Sequence, residues 1–254
     1  MLKKRLIGVV TVKDGWVVQS FGYRRYLPLG KPEVLVQNLD RWGADEILIQ
    51  CIDRSALGLG PDLEVLGKIG RLGIATPLIY SGGISCREDA VKGVSHGADR
   101  IMVDAMLLDS PQSLEAVARD LGTQAVIGHL PVRMDGDMLK VLDYRKKSEH
   151  PLAGWLRHWP MEWISELMVT DWAHEGHPDS FNESLLSVDA HIDKPLLCFG
   201  GISEASQIQR VLAHPQVVAA GVGNFLSYRE HAVQSLKQLL GSSAVRAPHY
   251  ESAL

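Results

Sequence analysis

Cysteine is scarce in this sequence, and its spacing excludes the common metal and disulfide frameworks. Three cysteines occur in 254 residues, Cys51, Cys86 and Cys198, and none belongs to a Cys-x-x-Cys or cysteine–histidine cluster. We therefore expect three reduced thiols, with Cys51 and Cys198 inside strands. The sequence predicts no metal site and no other cofactor.

An excess of positive charge is also lacking. Lysine and arginine number 26 against 30 aspartates and glutamates, which gives a formal net charge of −4. Nucleic-acid backbones require a basic surface, so this balance excludes a general nucleic-acid-binding protein. It favours small molecules and other proteins as partners.

Long hydrophobic runs are absent. No apolar stretch reaches the length needed to cross a bilayer, and the apolar run 6–10, which follows a basic start, is too short for a signal peptide. We expect a cytoplasmic protein with no membrane partner.

What the sequence does contain is a regular alternation of short apolar runs with longer amphipathic stretches, which is typical of buried parallel strands and helices. The eight predicted strands are 6–12, 46–52, 77–80, 100–104, 125–130, 166–171, 195–199 and 217–222. The helical patterns between them include 32–42, 63–72, 87–96, 113–121, 183–190 and 204–213. This order predicts an α/β fold, a single (β/α)8 TIM barrel over residues 1–240, with an open doubly wound sheet as the alternative. Residues 241–254 lack periodicity and are predicted to form a C-terminal tail.

An internal repeat indicates that the barrel consists of two similar halves. The segment PLIYSGGIS at 77–85 is echoed by PLLCFGGIS at 195–203, 118 residues later. The segments VKDG at 12–15 and RMDG at 133–136 also correspond, and each predicts a hairpin after the first strand of its half. The repeat therefore predicts a barrel in which one half-barrel unit occurs twice, related by two-fold symmetry.

Each half also carries glycines where a strand leads into a helix, a place where free backbone N–H groups suit a phosphate. The predicted phosphate-binding residues are Ser81, Gly82, Gly83, Asp104 and Ala105 in one half, and Gly200, Gly201, Gly223 and Asn224 in the other. Together they predict a phosphorylated small molecule with two phosphates as ligand. The alternative is that these glycines only allow tight turns, and the carboxylate of Asp104 is unfavourable beside a phosphate.

Several short motifs, in their order along residues 1 to 240, make the sequence resemble HisF, the cyclase subunit of imidazole glycerol phosphate synthase, and more distantly the related isomerase HisA. They are KRLI at 4–7, VKDGWVV at 12–18, GADEIL at 43–48, SGGI at 81–84, GADRI at 97–101, GTQAV at 122–126, DG at 135–136 and GG at 200–201. The resemblance implies a (β/α)8 barrel that receives ammonia from a HisH-like glutaminase at its bottom and uses it at its top.

The sequence departs from the HisF pattern at the catalytic carboxylates. Thr11 and Pro131 stand where the family has acid–base aspartates, and neither side chain is a base at neutral pH. Cys51 and Ala173 replace further aspartates of the family, and Gln19 replaces a lysine of the loop after the first strand. The family also has a cluster of acidic residues near the sixth strand, and Glu175 and Asn182 are its closest counterparts in this sequence. Glu175 is the remaining candidate acid or base, although a loop carboxylate is more often solvated.

The opposite end of the predicted barrel keeps the family pattern. Arg5, Glu46, Arg100 and Glu166 stand at the starts of strands one, two, four and six, and they match the family's salt-bridged gate around its ammonia passage. Asp99, beside Arg100, corresponds to a residue that points toward the docked partner. A charged layer that only closes the barrel bottom is the alternative.

These features predict a divergent HisF-like subunit of a glutamine-dependent amidotransferase. The segment 21–32 is similar to relatives that serve amidotransfer in surface-polysaccharide sugar synthesis, which implies a sugar-modifying synthetase as a further partner. One alternative is a working imidazole glycerol phosphate synthase cyclase of histidine biosynthesis with a reassigned acid and base. The other is a non-catalytic barrel that binds a phosphate ligand.

Overall fold

A computed structural model describes residues 3–156, 159–190 and 192–248 of the 254-residue chain. The strands are β1 (Arg5–Lys13), β2 (Trp16–Phe21), β3 (Arg25–Gly30), β4 (Glu46–Cys51), β5 (Leu78–Ser81), β6 (Arg100–Val103), β7 (Val126–Asp135), β8 (Met138–Asp143), β9 (Ser148–Pro151), β10 (Glu166–Asp171), β11 (Leu196–Phe199) and β12 (Val217–Val222). The α-helices are α1 (Pro32–Arg41), α2 (Arg54–Leu57), α3 (Leu63–Gly70), α4 (Arg87–Ser95), α5 (Ala105–Asp109), α6 (Pro111–Leu121), α7 (Leu152–Leu156), α8 (Ala205–Ala213) and α9 (Ala232–Leu240). Short 3-10 helices occupy Thr123–Ala125, Met161–Trp163, Glu183–Ala190 and Asn224–Ser227.

Eight parallel strands close into a barrel. The hydrogen-bonded order is β1, β4, β5, β6, β7, β10, β11 and β12, and β12 pairs again with β1. Each of the eight predicted strands corresponds to one of these, so the predicted (β/α)8 barrel is confirmed and the open sheet is wrong. The pairing of β12 with β1, which aligns Arg5 with Ala219, leaves none of the eight barrel strands at an edge, as an open sheet would.

The longer helices, such as α1, α3 and α8, each bury several apolar residues. The predicted helices 32–42, 63–72, 87–96, 113–121 and 204–213 correspond to α1, α3, α4, α6 and α8. The pattern at 183–190 forms a 3-10 helix rather than an α-helix. Its apolar residues Leu185 and Val188 are three apart and fully buried, which suits the three-residue turn of a 3-10 helix.

Two antiparallel hairpins extend the barrel beyond its mouth, one in each half. The predicted hairpin at 12–15 is present: Asp14 and Gly15 join β1 to β2 with φ of 50° and 76°, the two positive values of a type I′ turn. The second hairpin joins β7 to β8 through Gly136, at φ 60°. Strands β3 and β9 then add to these hairpins and were not predicted.

Cys51 and Cys198 lie in β4 and β11 as predicted, and both are buried. Past α9, Val245 forms a parallel bridge with Lys4 and is fully buried. This part of the segment 241–254 therefore packs beside the start of β1, while residues 249–254 lie outside the described residues. The domain boundary at residue 240 stays a prediction. Within the described ranges, no helix is long and apolar enough to cross a membrane.

Candidate functional site

The four predicted gate residues gather into one ring of ion pairs at the start of the barrel strands. Arg5 contacts Glu46 at 3.0 Å and Glu166 at 2.5 Å. Arg100 contacts the same two carboxylates at 3.3 Å and 2.6 Å. Each cation thus bridges both anions, and the four side chains are only 8 to 16% exposed. The ring is compact and carries no formal net charge.

Further hydrogen bonds hold Arg100 in the ring. Arg100 also donates hydrogen bonds to the Ser165 hydroxyl at 2.9 Å and to the Gln124 carbonyl at 3.0 Å. Burial raises the pKa of the Glu46 carboxyl, and Arg5 and Arg100 offset part of that rise. Such a ring is stable only while complete, because one buried charge left without its partner costs roughly 3–5 kcal/mol.

Asp99 lies next to this ring and has a structural role of its own. One of its carboxylate oxygens accepts a hydrogen bond from the Leu78 N–H at 2.8 Å, which ties the start of β6 to the start of β5. The residue is nevertheless exposed. Its predicted contact with a partner protein stays a prediction.

A continuous apolar layer lies directly above the ring inside the barrel. Side chains two residues further along a strand point to the same side, so Arg5 is followed by Ile7, and Arg100 by Met102. The members of this layer are Ile7, Val9, Leu48, Ile79, Met102, Ile127, Met168, Leu197, Phe199 and Ala219. The side chains that point into the barrel are therefore charged at the strand starts and apolar two residues further along.

Polar side chains return above the apolar layer and line a cavity of about 230 Å³ at the barrel mouth. We call it the Asp104 cavity and define it by Tyr23, Gln50, Asp104, His129, Tyr144 and Trp172. Two of these residues continue the inward-facing positions of barrel strands. Gln50 follows Glu46 and Leu48 at intervals of two along β4. Asp104 follows Arg100 and Met102 in the same way, just after β6 ends. The cavity therefore lies at the mouth end of strands β4 to β7, on the far side of the apolar layer from the ring.

Asp104 and His129 face each other in this cavity. His129 is 6% exposed, and its Nε2 lies 3.1 Å from the Thr170 hydroxyl. Its Nδ1 lies 3.6 Å from the Asp104 carboxylate, too far for a normal hydrogen bond. Burial raises the pKa of the Asp104 carboxyl, but His129, Tyr144 and the Ala105 N–H more than offset this, so that the net pKa lies below its usual value. Asp104 is therefore charged at neutral pH.

The positions where the resemblance predicts catalytic aspartates carry no acid or base in this structure. Thr11 is 5% exposed on β1 and is aligned in the sheet with Gln50. Pro131 lines the Asp104 cavity from β7. Neither side chain supplies a proton acceptor at neutral pH.

Glu175 is buried rather than solvated, so the expectation for an ordinary loop carboxylate is wrong. It is 2% exposed, and its carboxylate accepts hydrogen bonds from the Ser20 hydroxyl at 2.8 Å and the Tyr23 N–H at 3.2 Å. Its backbone carbonyl accepts the Gly22 N–H at 2.8 Å. Burial raises the pKa of Glu175, and these donors limit the rise. Glu175 thus fastens the β2–β3 hairpin to the mouth, and its predicted acid–base role stays a prediction.

One glycine from each predicted phosphate loop, Gly83 and Gly201, lines a depression on the mouth. Gly83 and Ala105 belong to one depression, and Gly201, Gly223 and Asn224 belong to the other. Asp104 lines the central cavity together with Ser81 and Gly82, so its carboxylate stays beside two of the predicted phosphate-binding residues.

In both depressions, polar groups already form hydrogen bonds within the protein. In the first loop the Gly83 N–H donates to the Ser55 hydroxyl at 2.8 Å. In the second depression Asn224 is engaged through its side chain, whose Nδ2 donates to the Ser20 carbonyl at 2.7 Å. Both loops also need glycine for packing, because a Cβ on Gly82 would lie 2.2 Å from the Cys51 carbonyl, and one on Gly200 would lie 2.3 Å from the Asp171 carbonyl. The tight-turn interpretation therefore has direct structural support, and phosphate binding stays a prediction.

The comparisons with known proteins agree with this architecture. The family model described as histidine biosynthesis protein matches residues 5–232. The chain belongs to this family. "Putative imidazole glycerol phosphate synthase subunit hisF2" of Vibrio vulnificus strain YJ016 is 25% identical over 240 residues, which cover 93% of this chain and 88% of that protein. "Imidazole glycerol phosphate synthase subunit HisF" of Staphylococcus aureus strain Newman is 28% identical over 254 residues, which cover 97% of this chain and all of that protein.

Sequence reasoning missed several residues that this member of the histidine biosynthesis family places at its mouth. Gln50 and Tyr144 were not singled out, although Gln50 and Asp104 both continue a period of two from gate residues. Asp171 was also missed. It is 1% exposed and accepts hydrogen bonds from His174 Nδ1 at 2.8 Å and from the Asn182 N–H at 2.9 Å. Among the described residues, no group of three or more histidine, cysteine, aspartate or glutamate side chains is arranged to hold a metal ion.

Proposed function

We propose that this chain is the HisF-like barrel subunit of a glutamine-dependent amidotransferase. A HisH-like glutaminase binds at the ring face, and its ammonia enters between the ring side chains and moves along the barrel axis to the mouth. The observation that carries this proposal is the complete ring of Arg5, Glu46, Arg100 and Glu166 below an apolar layer. Neutral ammonia crosses an apolar layer at a much lower cost in free energy than the ammonium ion does.

The names of the relatives support the same assignment, since both are named as subunits of imidazole glycerol phosphate synthase. The mouth supports a different use of the ammonia from the usual cyclisation, because Thr11 and Pro131 replace the acid–base aspartates that the HisF resemblance implies. In this proposal the barrel delivers ammonia to an acceptor held by a sugar-modifying synthetase, and the glycine loops hold a phosphorylated ligand. A cytoplasmic location of this chain is part of the proposal.

Docking at the ring face is testable with two charge reversals at opposite ends of the barrel. Asp99 is exposed beside the ring, and Asp14 is exposed at the tip of the β1–β2 hairpin. We expect Asp99→Lys to weaken binding of a HisH-type glutaminase from the source genome by about tenfold or more, since reversing a charge within an interface is unfavourable. Asp14→Lys should leave the affinity unchanged. Isothermal titration calorimetry measures both.

Equal affinities for the two variants and the unaltered chain would contradict docking at the ring face. Circular dichroism and thermal unfolding check that Asp99→Lys, which loses the bond to Leu78, remains folded. The two alternatives have separate assays. Formation of imidazole glycerol phosphate from ammonium salts and the phosphoribosyl-formimino substrate would show a working cyclase, and phosphate-dependent stabilisation without glutaminase binding would favour a ligand-binding barrel.

A further inference from the structure

The internal repeat allows the two predicted phosphate loops to be compared donor by donor. We call residues 81–85 with Ala105 the first loop, and residues 199–203 with Asn224 the second loop. Loops of this kind bind phosphate through backbone N–H groups that have no other partner. Three N–H groups of the first loop have counterparts in the second at an offset of 118 or 119 residues, and the pairs are Gly83 with Gly201, Ser85 with Ser203, and Ala105 with Asn224.

In the first loop, all three of these donors are bonded to side chains of the protein. The Gly83 N–H donates to a serine hydroxyl at 2.8 Å. The Ser85 N–H donates to the Asp89 carboxylate at 3.1 Å. The Ala105 N–H donates to the Asp104 carboxylate at 2.5 Å. Two of the three acceptors are carboxylates, so the protein places its own anions on the donors of the first loop.

In the second loop, the three corresponding N–H groups are not bonded. Within the described ranges, the N–H groups of Gly201, Ser203 and Asn224 form no hydrogen bond. Gly201 and Ser203 are nevertheless buried residues, and Ser203 is only 2% exposed. Backbone N–H groups of buried residues are nearly always bonded in folded proteins, to other protein groups or to water. These donors are therefore available to a ligand, whereas those of the first loop are not.

Charged side chains also make the first loop unfavourable for a phosphate. The Asp104 carboxylate lines the central cavity beside Gly82. The depression next to this loop contains one cation, Arg145, which pairs with Asp109 and Asp143 and is thereby neutralised. A phosphate bound here would meet a fixed negative charge, and like charges at short distance repel.

The charges around the second loop are arranged differently. Arg25 and Arg229 each lie over a phenylalanine ring that lines the second depression, at 4.9 and 5.5 Å from the ring centroids. Two carboxylates line the same depression, but neither accepts one of the three N–H groups. Glu175 accepts hydrogen bonds from the β2–β3 hairpin, and Glu204 is exposed. Two guanidinium groups thus lie close to the free donors.

We propose that the barrel mouth binds a ligand with a phosphate at one end only, and that Asp104 determines this specificity. The second loop holds the phosphate. Asp104 excludes phosphate from the first loop, because it occupies the Ala105 N–H and adds a negative charge. The other end of the ligand lies in the Asp104 cavity and carries uncharged polar groups such as hydroxyls, which the Asp104 carboxylate and the Gln50 amide can bind. This inference rests on the proposed function, in which the glycine loops hold a phosphorylated ligand.

Phosphate binding is measurable on the full chain with inorganic phosphate as the probe. In the ¹⁵N-labelled protein, sodium phosphate is titrated at neutral pH and at constant ionic strength against sodium chloride. We expect the backbone amide signals of Gly201, Ser203 and Asn224 to shift and saturate together. Those of Gly83 and Ala105 should respond to the two salts equally. Phosphate-specific shifts in both loops, in the first loop alone or in neither would overturn the proposal.

Removing the carboxylate of the first loop tests the role of Asp104. Asp104→Ala frees the Ala105 N–H and removes the charge, so phosphate should now also shift the Gly83 and Ala105 signals, with an affinity within about tenfold of that of the second loop. Asp120→Ala is the matched control, because it removes a carboxylate that pairs with Arg87 on the outer helices. It should change neither loop. A first loop that stays unresponsive in Asp104→Ala would overturn the role given to Asp104.

Placing a carboxylate in the second loop is the reverse test. Gly223 corresponds to Asp104 in the repeat, and a Cβ at this position would lie 3.2 Å from the Phe199 ring, which requires only a small adjustment. In Gly223→Asp, the new carboxylate can accept the Asn224 N–H and repel phosphate, so binding at the second loop should weaken by about tenfold or more. An unchanged affinity would overturn the proposal. Should Asp104→Ala fail to fold, this variant and the titration of the unaltered chain decide.

These titrations are independent of the glutaminase. A chain that binds no phosphate overturns the one-phosphate ligand but leaves glutaminase docking at the ring face intact. A chain that does not bind a glutaminase still gives an interpretable phosphate titration. The two proposals therefore fail separately.

Discussion

Asp104 and Glu175 both lie near the mouth, and their neighbours shift the pKa values of the two carboxyls in opposite directions. Asp104 lies beside His129 and accepts the Ala105 N–H, and its pKa is lowered. Glu175 has Ser20 and Tyr23 as donors but no cation, and its pKa is raised by burial. The residue type alone did not distinguish them. Asp104 was expected to be unfavourable beside a phosphate, and it lines the same cavity as Ser81 and Gly82 of the predicted phosphate site.

The raised pKa of Glu175 predicts a pH dependence of stability. Because the folded protein holds this proton more tightly than the unfolded chain, the associated stabilisation is fully present below the ordinary glutamate pKa and is lost as pH rises through the raised one. Glu175→Gln removes this dependence. In urea unfolding from about pH 4 to about pH 7, the stability of the unaltered chain should therefore fall relative to that of Glu175→Gln.

Ser20→Ala provides the companion measurement for this prediction. The Ser20 hydroxyl donates to Glu175 and lowers its pKa, so its removal should raise that pKa further and extend the loss of stability to higher pH. A constant difference between the unaltered chain and Glu175→Gln across this range would contradict the account of this residue.

The half-barrel repeat is visible in the turns that follow β5 and β11, where a glycine packs closely against a backbone carbonyl in each half. After β5, Gly82 approaches the carbonyl of Cys51, and after β11, Gly200 approaches the carbonyl of Asp171. Both glycines have positive φ, 124° and 100°. The repeated glycines are therefore required by the same close approach to the preceding barrel strand in each half, whether or not a phosphate binds there.

Gly200→Ala should destabilise the protein much more than a glycine substitution in open space. A Cβ at position 200 would lie 2.3 Å from a backbone oxygen, whereas one on Gly15, at φ 76°, meets nothing within 4 Å. Gly15→Ala should cost about 1–2 kcal/mol from backbone conformation alone. Gly200→Ala should add roughly 1–3 kcal/mol for the steric conflict. Urea unfolding compares the two, and equal losses would contradict a packing role for Gly200.

Elements with strong local patterns could be predicted, and those formed by distant contacts could not. The barrel strand β4 could be predicted from its apolar run at 47–49, and α8 from its apolar stripe. Strand β9 contains Glu149 and His150 and no apolar run. It becomes a strand only because β8 lies alongside it, so its own sequence carries little signal.

The same distinction holds for the site in the whole molecule. The ring was predicted because each member starts a strand and matches a family pattern. The Asp104 cavity was not, since Asp104 follows β6, His129 lies within β7 and Tyr144 follows β8 in the second hairpin. Closure of the barrel brings the three together. In the sequence, one signal relates the cavity to the ring. Asp104, just after β6, lies two residues beyond Met102 and four beyond Arg100, so the three side chains point to the same side.

The central claim is that the barrel takes ammonia from a glutaminase at its ring face. The most direct measurement is the rate of glutamine hydrolysis by a HisH-type glutaminase from the source genome, with increasing amounts of this chain. We predict that the rate rises and saturates when the two proteins are equimolar. A rate that stays at the level of the glutaminase alone, under conditions where both proteins are folded, would contradict the account.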